Sequence, residues 1–286
     1  MSTQSISPVP SSPKPSPTSG EQPKLSQRPW WARLSLMFAV ACAIWILVNV
    51  LATLIFGPNY SFGSHTFRAV TTCTLVIAAL AVLLRWEHTR ASDYAFALGR
   101  GMLRGLALGA LSYSVPFLMA ASVVLMLNLA QVEVSTNALD VVGQGLAVLV
   151  LVLLYEAVPE ELIFRGYLFR VLSERLPVWA TIIGQALLFT AFGAIVGAAA
   201  SLDRVVTFFL FSVSLGYLRQ VTGTVYATIG FHAVFQLLAQ WLLGEQWGTL
   251  SVNDPEQWFS LVALGLAPFA LAPVIAAIIV RSRDAD

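Results

Sequence analysis

Apolar residues occupy this chain in long unbroken runs, not in alternation and not as a narrow stripe. Eight runs follow one another from about residue 30 onward, at 34–56, 66–84, 105–130, 141–158, 179–200, 204–220, 224–243 and 258–280. Each has roughly 17–25 residues, the length at which an α-helix crosses about 30 Å of hydrocarbon. Continuous runs exclude the alternating strands of a membrane barrel. The pattern predicts an all-α, polytopic membrane bundle of eight transmembrane helices. Residues 1–30 read differently. Seven of the fourteen prolines lie there, among serine, threonine and glutamine. Such a segment buries too little apolar surface to offset its chain entropy, so a disordered tail is expected. With no apolar stretch near Met1, it does not read as a signal peptide.

Composition agrees. The chain is 57% hydrophobic and 11% charged, where soluble domains carry about 25% charged residues. The lipid bilayer is thus the first partner implied. A net charge of +1 gives no field to recruit nucleic acid. Cys42 and Cys73 fall in apolar runs and form no disulfide framework; small packing residues are expected. His65 and His88 are expected in loops or at the interface. Trp30, Trp31, Trp86, Trp179 and Trp247 fall near the predicted span ends, where indoles prefer the interface.

Charge then orients the bundle. With the N-terminus inside, fourteen of the sixteen basic residues fall in the tail, in the 85–104, 159–178 and 219–223 stretches, and in the C-terminal segment. Only Arg68 and Arg204 fall on the other side. This bias is what the positive-inside rule requires, and it predicts both termini inside. The expected organisation is a tail at 1–30, N-terminal helices at 31–140, a core at 141–245 and a last helix with a short tail at 246–286.

The fourth run ends in YEAVPEELIFRG, residues 155–166, which puts Glu156, Glu160, Glu161 and Arg165 beside a hydrophobic segment. Helical spacing sorts them. Glu156 and Glu160 share a face, while Glu161 and Arg165 stand in the acid-before-base order that favours an ion pair. Glu160 and Glu161 point about 100° apart and cannot do one job. Pro159 removes a backbone donor and predicts a kink that re-aims the glutamates. A solvated helix end is the plain alternative. Glu156, one turn deeper, reads either as a proton-sharing neighbour or as a snorkelling side chain.

EELIFRG resembles the EExxxR signature of the CPBP family, which holds the type II CAAX prenyl endopeptidases and the bacterial Abi proteins linked to bacteriocin self-immunity. The stretch LGYLRQVTGTVYATIGFHAVFQ resembles the family's passage from a TG turn to a late histidine, and the likeness covers about 145–243. It implies an intramembrane endopeptidase acting near the cytoplasmic face of a prokaryotic inner membrane, on a membrane-associated peptide or protein. Glu160 would be the general base, Glu161 and Arg165 its supporting acid and base, and His232 the late histidine. His232 lies about 12 Å along its helix from Thr224.

Two positions depart from the family pattern. Phe189 fits the middle F-x-x-x-H motif, but Gly193 stands at the histidine position, leaving a space that an ordered water is expected to fill. Gln236 replaces the usual asparagine or aspartate and keeps an amide. The family also implies a divalent metal such as zinc in some members, yet Glu160, His232 and Gln236 are a poor set for an ion that takes three protein ligands. Three functions stay open: an endopeptidase, an inactive member that binds membrane peptides or acts in bacteriocin immunity, and a proton-coupled transporter using Glu156 and Glu160. No inverted repeat supports the third.

Overall fold

The computed structural model describes residues 28–96, 99, 101–244 and 247–283. The tail expected at 1–30 lies almost wholly outside the described residues. Among the described residues, eight helices are long and apolar enough to cross a membrane: α1 (Trp30–Phe56), α2 (Phe62–Trp86), α3 (Gly101–Met126), α4 (Ala138–Ser173), α5 (Val178–Ile195), α6 (Leu202–Thr222), α7 (Val225–Leu243) and α8 (Phe259–Arg281). The chain is a multi-pass membrane protein, and each predicted run coincides with one helix.

One boundary is corrected. The fourth span was expected to end near residue 158, with Glu160, Glu161 and Arg165 at its flank. Helix α4 instead continues to Ser173. The residues after the glutamates drive this, since Ile163, Phe164, Tyr167 and Leu168 are fully buried. Arg165 is equally buried, so it leaves the set of flanking positive charges.

An even number of spans puts both ends of the bundle on one face, here the terminal face. The connections 87–96, 174–177 and 223–224 share that face; 57–61, 127–137, 196–201 and 247–258 lie on the far face. Each face has its own fastening. On the far face β1 (Gln131–Val134) pairs antiparallel with β2 (Leu250–Asn253), Gln131 opposite Asn253 and Val134 opposite Leu250. Close by, Trp247 packs on Tyr60 and His65. His65 is thus a buried member of an aromatic cluster, contrary to the loop or interface expected for it.

On the terminal face the buried Arg33 bonds Glu87 at 3.0 Å, Glu174 at 2.7 Å and the Tyr94 hydroxyl at 3.0 Å. Tyr94 and Tyr167 both donate to Glu87. Burial pushes the Tyr94 phenol up to about 12, which keeps it protonated as a donor. Arg33 therefore ties the start of α1 to the ends of α2 and α4.

Helix α7 is seated on α3 through glycine. A Cβ at Gly109 would overlap the Ala227 carbonyl, and one at Gly230 the Leu106 carbonyl. Small residues are what allow two membrane helices to approach this closely. The turn before α7 has its own requirement: Gly223 closes α6 at φ 69°, a region glycine enters without strain. The Thr224 hydroxyl then caps α7 by accepting from the Tyr226 amide. Cap and glycine contact together fix the depth of His232. Gly230→Val should lower stability by about 1–3 kcal/mol through overpacking, read as earlier unfolding in detergent micelles. Gly143→Ala, where an added Cβ meets nothing within 4 Å, should leave the transition unchanged or slightly raised.

Candidate active site

Two wide turns position the acids of α4. Its backbone is π-helical over Leu153–Ala157 and again over Leu162–Leu168, flanking the short α segment Val158–Glu161. The first wide turn answers Pro159, whose ring would press on the carbonyl four residues back in a regular helix. Val158 donates five residues back to Leu153, and the proline is absorbed without ending the helix. Single π turns inside α-helices are frequent at functional sites.

The side chains then form one connected set. Glu161 Oε1 accepts from Arg165 Nη1 at 2.9 Å and meets His232 Nδ1 at 2.9 Å. Because that oxygen already serves as an acceptor for Arg165, Nδ1 is the ring nitrogen that carries a proton. Nε2 is left as the reactive position. It has no hydrogen-bond partner among the described residues and stands 3.9 Å from Glu160 Oε2, too far for a direct hydrogen bond. Below, Arg165 Nη2 donates to Ser212 Oγ at 2.8 Å, Ser212 to Gln185 Oε1 at 3.2 Å, and Gln185 back to the Ser212 carbonyl at 2.8 Å. The Arg165 guanidinium lies 4.5 Å from the Phe189 ring centroid. Arg165, Ser212 and Gln185 are all fully buried and make a polar floor.

Above the floor is a cavity of about 340 Å³. Glu160 and His232 line it, as do Glu156, Gln236 and Phe189. Glu161 and Arg165 stand behind the wall. Glu156 and Glu160 do share a face, as their spacing requires, and Glu156 is held by Gln240 Nε2 at 2.9 and 3.0 Å.

One expectation fails here. Gly193 does not line the cavity. A Cβ on it would lie 2.5 Å from the Phe208 ring and 3.3 Å from Ala199 Cβ. The place expected to hold a water is filled by Phe208, which stacks on Phe189 at 5.4 Å. The family resemblance implies a mouth on the face that carries the termini. Glu160 and His232 lie in the terminal-face halves of their helices, whereas Trp45 and Asn49 on α1, Phe192 on α5, Arg204 and Thr207 on α6 and Ala239 on α7 lie in the far-face halves.

A metal does not fit these residues. Glu156, Glu160, His232 Nε2 and the Gln236 amide reach the cavity, with Glu156 held by Gln240, and no group of three His, Cys, Asp or Glu able to hold an ion exists among the described residues. Catalytic zinc takes about three protein ligands.

Residue spacing anticipated the Glu161–Arg165 pair but missed Ser212, Gln185, Phe208 and Arg204. Ser212 and Gln185 were detectable in principle, being polar residues inside apolar runs. Phe208 carried no signal, since a phenylalanine in an apolar span is ordinary.

An eight-helix bundle with a carboxylate–histidine pair in an internal cavity defines a polytopic membrane protein with a candidate active site. Residues 142–238 match the model of the family described as Type II CAAX prenyl endopeptidase Rce1-like. The matched region holds both EELIFRG and the TG-to-His stretch. No match among curated proteins was found.

Removing one partner of a buried ion pair leaves the other charge uncompensated, at about 3–5 kcal/mol. Arg165→Met should therefore lower stability by that order in denaturant unfolding of the detergent-solubilised chain. Glu160→Gln, which breaks no bonded pair, should change it by less than about 1 kcal/mol.

Proposed function

We propose that this chain is a membrane-embedded, CAAX-protease-like endopeptidase with Glu160 as general base. The observation that carries this reading is the 3.9 Å gap between Glu160 Oε2 and His232 Nε2, with the far side of the imidazole fixed by Glu161. A gap of that size suits one water between the two groups.

With Glu161 negative and Arg165 positive, the site is neutral when Glu160 and His232 together carry one proton beyond the Nδ1 hydrogen. Held on Nε2, that proton polarises the scissile carbonyl. The Glu160 carboxylate takes a proton from the water as its oxygen attacks the carbonyl carbon. Collapse of the tetrahedral intermediate breaks the C–N bond, and Glu160 returns the proton to the leaving nitrogen. Gln236 orients the water or the substrate carbonyl from the wall. The substrate is a peptide segment of a membrane-associated protein, and the setting is a prokaryotic inner membrane.

The second reading is a member that binds membrane peptides without cutting, a role that includes immunity to bacteriocins. The Phe208 ring at Gly193 favours it, because the site then lacks a second imidazole. Purified full-length chain, offered a peptide library in liposomes, separates the two. Wild type should cleave; Glu160→Gln should lower kcat/KM by about 100–10,000-fold and His232→Ala by about 100–1,000-fold. Undiminished cleavage by Glu160→Gln would remove the assigned base. Peptide binding by wild type with no cleavage would establish the second reading in place of the first.

A further inference from the structure

We propose that the cavity takes its ligand from the membrane face opposite the two chain termini, and that Arg204 at its mouth recognises an anionic group on that ligand. The route goes beyond the hydrolytic reading and does not require that the site cuts.

Closure on one side is the first argument. No residue of the terminal-face connections lines the cavity. Beneath Glu160 and His232 lie the Arg165–Ser212–Gln185 layer and a further bond from Arg219 Nε to the Arg165 carbonyl at 3.1 Å. Phe164 and Tyr167 fill the space around it, both fully buried. On the other side the lining climbs through Phe208 and Thr207 to Gly197, Ala198 and Arg204 at the α5–α6 connection, where these last three are exposed.

The second argument is charge. Nearly all basic residues sit toward the terminal face, which the positive-inside rule makes cytoplasmic. The two that fall on the far side both serve this cavity. Arg204 lines it directly. Arg68 donates from Nε to Asn49 Oδ1 at 3.0 Å, and Asn49, which also accepts from Tyr155, lies in the wall. Arg204 is held in place by its bond from Nε to the Ala198 carbonyl at 3.3 Å and by the Phe208 ring 5.4 Å away. Among the described residues it makes no ion pair. Asp203 beside it is exposed. The carboxylates that face the cavity, Glu156 and Glu160, lie deeper on α4. A cation at the rim with acids below sorts a ligand by sign before it reaches the histidine. The ligand chemistry is therefore a peptide bearing a carboxylate or other anionic group near the bond presented to Glu160.

Thiol labelling of the full-length chain in intact cells tests this. Cys42 and Cys73 are free and buried and are first replaced by alanine. Ala198→Cys should react with a membrane-impermeant methanethiosulfonate, while Ser92→Cys, exposed on the terminal face, should react only after the cells are opened. The reverse pattern would overturn the access route. At Thr207→Cys, in the cavity wall, the anionic ethylsulfonate reagent should outpace the cationic trimethylammonium one. Arg204→Gln should erase a preference on the order of 10-fold, the low end of electrostatic focusing in a charged cleft. A faster cationic reagent, or a preference that survives Arg204→Gln, would overturn the anion site. Labelling needs no turnover, so an uncut peptide in the liposome assay leaves these results unaffected.

Discussion

One oxygen holds the site together. Glu161 Oε1 is shared between the guanidinium of Arg165 on its own helix and the imidazole of His232 on α7. In a buried setting neither the carboxylate nor the guanidinium is tolerable alone, because desolvation exceeds what a poor partner returns. Each is kept by the other, and the histidine is oriented as a consequence. Arg165 carries the connection on to Ser212 of α6 and, through it, to Gln185 of α5. Four helices therefore meet in one polar layer inside an apolar bundle, and the reactive face of His232 is whatever that layer leaves uncovered.

The layer also separates the cavity from the terminal face. Most of its donors and acceptors are spent on other members, while Glu161 Oε2 and Arg165 Nε have no hydrogen-bond partner among the described residues. The aromatic rings around it, Phe164, Phe189 and Phe211 among them, pack against one another and against the guanidinium. A cation over a ring face is stabilised most where solvent is excluded. Close packing at the floor is a result of that arrangement.

Much of the bundle was legible in the sequence because bilayer thickness fixes the length of an apolar run, and eight such runs are hard to misread. The end of α4 was not legible for a related reason. Glu160, Glu161 and Arg165 score as three charges and so as flank, whereas the fold neutralises two of them against each other and buries the rest of the turn. Spacing of four residues exposed that pair; no local rule exposes Arg33, whose partners Tyr94 and Glu174 lie 61 and 141 residues away. His65 was misplaced similarly. Its neighbours Tyr155 and Trp247 come from distant helices and connections, and only their convergence makes a histidine near a span end a packed one.

Gly193 is the instructive case. Reading along α5 established that no histidine stands there, but the missing group says nothing about what replaces it. The replacement comes from α6, where Phe208 is wedged over Gly193, stacked on Phe189 and touched from outside by Arg204. Glycine and phenylalanine are thus a matched pair: a side chain at 193 requires that ring to leave, and without the glycine the ring has no seat. The effect on the cavity is to divide it. Its α4 and α7 wall carries Glu156, Glu160, His232 and Gln236, while its α5 and α6 wall is mostly aromatic up to the rim cation. An extended peptide has the same division, polar amides along the backbone and apolar side chains beside them. The polar wall can address the amide while the rings take the side chain, since aromatic faces supply large apolar contact with little rotamer freedom to lose. Under the proposed hydrolytic reading, what position 193 lacks in polar chemistry is offset by an apolar surface beside the bond presented to Glu160.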